Sequence, residues 1–273
     1  MIVSHFLAVK YHKKFISLLV LLLVLMFSAC QSEQNTGEAT NDLPNTESPK
    51  PASSALDALE YTYRESSLEG GQKVPLVLAM HGFKSNMDDL FVLSQFVDSR
   101  YMYVSLQAPH STGPNSYKWF DLIFSNGGDV HGNKSEAIES AELVSNFIDG
   151  MVERYAVDEE KVYLLGFSQG AMLSLLLALS EPEKVAGAAL LSGKIIKDLE
   201  KDVSENKEAI SKLSFLVTHG KKDKAIDIEK AREMKKMLEE KSVNLSYNEY
   251  DMKHQISQDC IKDITKWFAN QLD

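Results

Sequence analysis

The run Lys161-Val162-Tyr163-Leu164-Leu165-Gly166-Phe167-Ser168-Gln169-Gly170-Ala171 decides how this chain is read. A short β-prone stretch ends at Gly166, and Ala171 through Leu179 is a row of good helix formers. Between them lies a G-x-S-x-G pentapeptide, Gly166 to Gly170. Alone, such a pentapeptide arises by chance in roughly one chain in ten of this length. Set between a strand and a helix, it describes a sharp turn. A serine driven through that turn takes strained backbone torsions, and the two glycines remove Cβ atoms that would collide there. The Ser168 hydroxyl is lifted above the sheet, and the helix N-terminus aims its unpaired N–H groups at the same point. Ser168 is therefore read as a nucleophile.

The rest of the pattern supplies the sheet. Leu59 to Arg64, Lys73 to Met80, Met102 to Leu106, Val185 to Leu191, Leu213 to Thr218 and Val243 to Tyr250 read as strands. Met87 to Phe96, Ser135 to Tyr155, Ile228 to Lys241 and Gln258 to Leu272 read as helices, with Ser135 and Glu139 marking the start of the second. Nearly all-apolar strands alternating with helices predict an α/β fold: a mostly parallel central sheet with helices on both faces. Ligands of such sheets bind beyond the carboxyl ends of the strands, where every candidate catalytic residue here falls.

Serine is a poor nucleophile at its own pKa and needs a base, which in turn needs an orienting acid. In the order Ser, acid, His, the chain offers Asp223 in His219-Gly220-Lys221-Lys222-Asp223 and His254 after the last strand. Asp227 is the alternative acid. His81 and His219 sit beside glycines at strand ends, where an imidazole more often braces a loop, and His110 and His131 precede the nucleophile. The oxyanion of an acyl-transfer step needs two donors. Gln169 N–H, directly after the nucleophile, supplies one, and Phe83 N–H in His81-Gly82-Phe83 supplies the other.

Together the His81-Gly82 turn, Trp119-Phe120-Asp121, Gly166-Phe167-Ser168-Gln169-Gly170, His219-Gly220-x-x-Asp223 and His254 before a terminal helix resemble the phospholipase/carboxylesterase family of α/β-hydrolases. The resemblance runs from about Val74 to the end, with the motifs in the family's order. It implies an α/β-hydrolase fold without a large lid, a serine hydrolase acting on carboxylic esters or thioesters, and no metal or other cofactor. It also places Trp119 and Phe120 in a loop beside the acyl site; from the residues alone they could equally be a buried aromatic anchor. Two features depart from the family. Lys253 stands where a glycine commonly precedes the histidine, and Leu199 to Ser211 is unusually charged, either covering the site or facing solvent. A non-catalytic ligand-binding lipoprotein on the same fold, or a serine peptidase, are the rival readings.

The chain has 273 residues, 44% hydrophobic and 25% charged, enough for one domain plus extensions. Its net charge of −10 argues against a nucleic-acid partner, which calls for a basic stripe. Lys10, Lys13 and Lys14 precede an apolar run from Phe15 to Phe27 that is broken only by Ser17. That run falls short of the ~20 residues needed to span a bilayer, so residues 1–29 read as a signal peptide. Ser28-Ala29-Cys30 resembles a bacterial lipobox, with Cys30 as the lipidated new N-terminus. An uncleaved anchor or plain secretion are the alternatives. Residues 30–55 are rich in polar residues and read as a flexible tether, and residues 56–273 form the hydrolase domain. The expected setting is a bacterial cell envelope, with the enzyme held to a membrane outside the cytoplasm by its lipid and acting on a small ester or lipid-like substrate. With Cys30 consumed, Cys260 has no partner for an intrachain disulfide.

Overall fold

Side chains alternate along each central strand, so each strand feeds two apolar clusters. Along Val74–Met80 (β2), Leu76, Leu78 and Met80 enter one cluster while Val77 and Ala79 enter the other. Val162 and Leu164 divide from Tyr163 and Leu165 in the same way along Val157–Phe167 (β8). These strands are buried on both faces, which is why they read as apolar runs rather than alternating ones.

The structure is a computed structural model that describes residues 55–124 and 130–272. The expected signal peptide, Cys30 and nearly all of the tether lie outside the described residues. The remaining strands are Tyr61–Arg64 (β1), Met102–Leu106 (β3), His110–Gly113 (β4), Ser116–Lys118 (β5), Leu122–Phe124 (β6), Val130–Gly132 (β7), Gly187–Leu191 (β9), Ser214–Gly220 (β10) and Asn244–Tyr250 (β11). The helices are Met87–Phe91 (α1), Lys134–Arg154 (α2), Gln169–Ser180 (α3), Lys207–Lys212 (α4), Ile228–Glu240 (α5) and Gln258–Asn270 (α6). The central sheet has seven strands in the order β1-β3-β2-β8-β9-β10-β11. All neighbours pair parallel except β1, which runs antiparallel to β3 along one edge. The expected α/β architecture with a mostly parallel sheet is the one observed.

Residues of α2, α3 and α5 pack on one face, and those of α1 and α6 on the other. The helix α3 is buried from Gln169 to Leu179 and apolar all round, as a helix inside the core must be. By contrast, α6 buries Cys260, Ile264, Trp267 and Phe268 and turns a charged face outward. Each such large apolar side chain, fully buried, contributes about 1.5–3 kcal/mol.

Several boundaries differ from the sequence reading. The helix expected over Met87 to Phe96 is α-helical to Phe91 and continues as a 3-10 turn over Val92–Phe96. Asn133, not Ser135, caps α2, its side chain accepting from Glu136 N–H. The loop expected around Trp119 contains two hairpins, β4–β5 and β6–β7. The charged Leu199 to Ser211 segment sends Leu199 and Ile210 into the core. Ser204 N–H donates to Leu179 O near the end of α3 remote from Ser168, and Asp202 pairs with Lys134 at the start of α2.

Cys260 lies fully buried on α6, its Sγ 3.3 Å from Thr218 Oγ1, and burial pushes its thiol up to about 11. Burial thus favours the thiol over the reactive thiolate. Thiol reagents followed by peptide mapping should leave Cys260 unmodified in the folded protein and label it fully in denaturant. Rapid native labelling would contradict this packing.

Candidate active site

The turn from Gly166 to Gly170 is built by close backbone approach. A Cβ on Gly166 would overlap the Gly170 carbonyl, and one on Gly170 would overlap Met80 O of β2. Only glycines let α3 begin this close to the sheet. Ser168 is forced to φ +54°, ψ −111°, a region L-residues rarely adopt, while Ser168 N–H donates to Leu191 O at 2.8 Å. The strain is held in place by the parallel pairing of β8 with β2 and β9 on either side.

Ser168 Oγ lies 2.9 Å from His254 Nε2, and His254 Nδ1 lies 2.6 Å from Asp223 Oδ2. A proton on Nδ1 donates to the carboxylate and leaves Nε2 to accept from the serine hydroxyl, the arrangement a general base requires. The Asp223 side chain is fully buried, whereas that of His254 is a quarter exposed. Two backbone donors, Ala225 N–H at 2.8 Å and Ile226 N–H at 2.9 Å, hold the other carboxylate oxygen. Buried His219 adds a further contact: its Nε2 is 2.9 Å from Ile226 O and 3.3 Å from Asp223 Oδ2, so it bonds the turn that carries the acid. Asp227, the alternative acid, instead caps α5 by accepting from Glu229 N–H at 2.9 Å.

The loops bearing the acid and the histidine are laced together. Lys221 N–H donates to Tyr250 O at 2.8 Å and Lys222 N–H to Met252 O at 3.0 Å. Gly220 lets these backbones meet, since a Cβ there would overlap Met252 O. The His254 ring packs 5.0 Å from that of Phe167. Lys253 therefore does not prevent His254 from reaching both partners.

On the other side of Ser168, the turn after β2 closes in. A Cβ on Gly82 would sit 3.5 Å from Ser168 Cβ, and Phe83, the next residue, lines the same groove as Ser168. The N–H groups that follow it are committed, Lys84 to Tyr117 O and Ser85 to Gly82 O. Gln169 is the first helical residue of α3, where an N–H has no intrahelical acceptor. Buried His81 accepts from Ala108 N–H through Nε2 at 3.1 Å, with Nδ1 2.8 Å from Gly82 O. Burial holds this imidazole below the ordinary histidine value, which keeps it the neutral acceptor this loop needs.

Trp119 and Phe120 are not among the residues that line the groove at Ser168. Both are fully buried, which favours the buried-anchor reading of the two. Gly132 makes room for the Phe120 ring, against which a Cβ would stand at 2.6 Å.

The groove at Ser168 has a volume of about 370 Å³, within the range of small-molecule sites. Phe83, Leu90, Phe167 and Ile256 give it apolar walls, and Ser85 and Asp89 also line it. Leu90 and Ile256 lie outside the sequence motifs; Ile256, two residues after His254, has a positional signal, as does Phe167 directly before Ser168. A larger cleft of about 440 Å³, lined by Glu159, Glu160 and Glu183, lies at the start of β8. That is the end of the sheet where such folds do not place their chemistry.

Three comparisons bear on this site. A carboxylesterase of Arabidopsis thaliana, SOBER1, is 28% identical over 56% of this chain and 68% of its own length. Acyl-protein thioesterase 1 of Candida albicans is 23% identical over 74% of this chain and 94% of its own. The crystal structure of esterase PE8 superposes with a TM-score of 0.67 at 24% identity, covering 78% of this chain and 98% of that one, a likeness of fold. Residues 68–272 match the phospholipase/carboxylesterase family, so the chain belongs to that family of α/β-fold serine hydrolases.

Proposed function

We propose that this protein hydrolyses carboxylic esters or thioesters through an acyl-enzyme, with Ser168, His254 and Asp223 as its triad. The observation that carries the reading is the continuous relay from Ser168 Oγ through His254 to Asp223, at 2.9 Å and 2.6 Å. Ser168 Oγ attacks the acyl carbonyl as His254 Nε2 takes its proton. Asp223 keeps the imidazole in the required tautomer and stabilises its charged form. Phe83 N–H and Gln169 N–H receive the oxyanion, strengthened by the N-terminus of α3. His254 then returns the proton to the leaving alcohol or thiol, and water repeats the attack on the acyl-serine. The groove beside His254 supports a substrate with an apolar portion; its apolar walls are Phe83, Leu90, Phe167 and Ile256.

The N-terminal sequence supports a membrane setting for this activity: a lipid on Cys30, a polar tether, and the catalytic domain displayed from the bacterial envelope. Among the described residues no helix is long and apolar enough to cross a membrane.

Turnover of p-nitrophenyl esters should fall by at least about 10³-fold in Ser168→Ala and in His254→Ala, and by roughly 10²–10⁴-fold in Asp223→Asn. A variant of any of these three that keeps near wild-type kcat would refute its assigned role. The base must be neutral to accept the serine proton, so kcat/KM should decline on the acid side with a slope of one proton. A profile flat down to pH 4 would rule out His254 as base. Full-length protein expressed in a bacterial host should take up labelled fatty acid and fractionate with membranes, and Cys30→Ala should abolish the labelling. Label retained in Cys30→Ala would place the lipid elsewhere.

A further inference from the structure

Trp119 is fully buried, and each of its polar groups bonds a part of the surrounding site. Its indole Nε1–H donates to His81 O at 2.9 Å, on the turn that carries Phe83. Its backbone N–H donates to the side-chain oxygen of Gln169, also at 2.9 Å. Its carbonyl accepts from Ser140 Oγ of α2. The Gln169 side chain completes the link by donating through Nε2 to Phe120 O at 2.7 Å. Just before Trp119, Tyr117 exchanges backbone bonds with the same turn: Lys84 N–H donates to Tyr117 O at 2.8 Å and Tyr117 N–H to Ser85 O at 2.9 Å. The segment from Tyr117 to Phe120 is thus stitched on one side to the turn after β2 and on the other to the first residue of α3.

Those two attachment points carry the two oxyanion donors. A glutamine is a costly residue to bury at the start of an otherwise apolar helix unless both ends of its amide are bonded, and at Gln169, which is 2% exposed, both are. We infer that Trp119 and the Gln169 side chain are positioning residues, a clamp that fixes the Phe83 and Gln169 N–H groups relative to each other and preforms the oxyanion hole. The inference rests on the proposal that these two N–H groups are the donors. Donors aimed where charge develops act mainly on the transition state, because the ground-state carbonyl uses them less fully. Loosening the clamp therefore lowers kcat while leaving KM nearly alone.

The test compares the full chain with Trp119→Phe, Gln169→Met, the double variant and Ser168→Ala. Gln169→Met keeps the backbone N–H and removes only the amide bridge. The readouts are kcat and KM on p-nitrophenyl butyrate, the Ki of a trifluoromethyl ketone of matching acyl length, and the thermal midpoint. The ketone adds to the nucleophile and leaves its oxyanion in the hole. Each single variant should lose about 10- to 100-fold in kcat, with KM within about twofold. The ketone Ki should rise by the factor by which kcat/KM falls, and the double variant should cost little more than the worse single one. If Trp119→Phe does not fold, Gln169→Met carries the test. A folded Gln169→Met with wild-type kcat, or a loss confined to KM with an unchanged ketone Ki, overturns the clamp while an inactive Ser168→Ala leaves the triad standing. An active Ser168→Ala would bring down the catalytic reading itself.

Discussion

The constraint on which the rest depends is the backbone contact between the start of α3 and β2. Gly170 lies so close to Met80 O, and Gly166 so close to Gly170, that neither tolerates a Cβ. Parallel pairing of β8 on both sides leaves the chain no room to relax, and Ser168 is held at positive φ as a result. A strained residue of this kind costs of order 1–3 kcal/mol and persists only where its surroundings over-determine it. Here the surroundings are the fully buried middle of the sheet and a helix apolar on every side.

Once the serine is fixed, the other groups have little freedom. The acid follows β10 and the histidine follows β11, and these neighbouring strands pair in parallel from Ser214 to Gly220. The loops beyond them are cross-bonded by Lys221 and Lys222 N–H groups. Asp223 is buried with its oxygens bonded by His254, Ala225 and Ile226, so its charge is compensated by donors rather than by bulk water. The His254 side chain, a quarter exposed, keeps contact with solvent. In the proposed triad, that suits a group which must exchange protons with substrate and water.

Much of this was legible in the sequence because it is local. The glycines, the serine and the flanking strand and helix lie within a few residues, and the order Ser168, Asp223, His254 follows directly from which loops succeed which strands. The capacity of His81 and His219 to brace loops was legible for the same reason. What was not legible depended on contacts across the chain. Whether Trp119 lined a groove or filled the core turned on partners tens of residues away, Gln169 and Ser140 among them. The small β4–β5 and β6–β7 hairpins are short and flanked by polar residues, so their pattern gives no strand signal. The charged Leu199 to Ser211 segment misleads for a related reason: Leu199 and Ile210 anchor it to the core while most of its charges are exposed.

The central claim is that the fold activates one serine and no other. Fluorophosphonate labelling of the folded protein, followed by peptide mass mapping, tests it most directly. The account predicts a single adduct per chain, on Ser168, lost when the protein is unfolded before labelling. An adduct on a different residue, or no adduct on folded protein that still turns over esters, would contradict it.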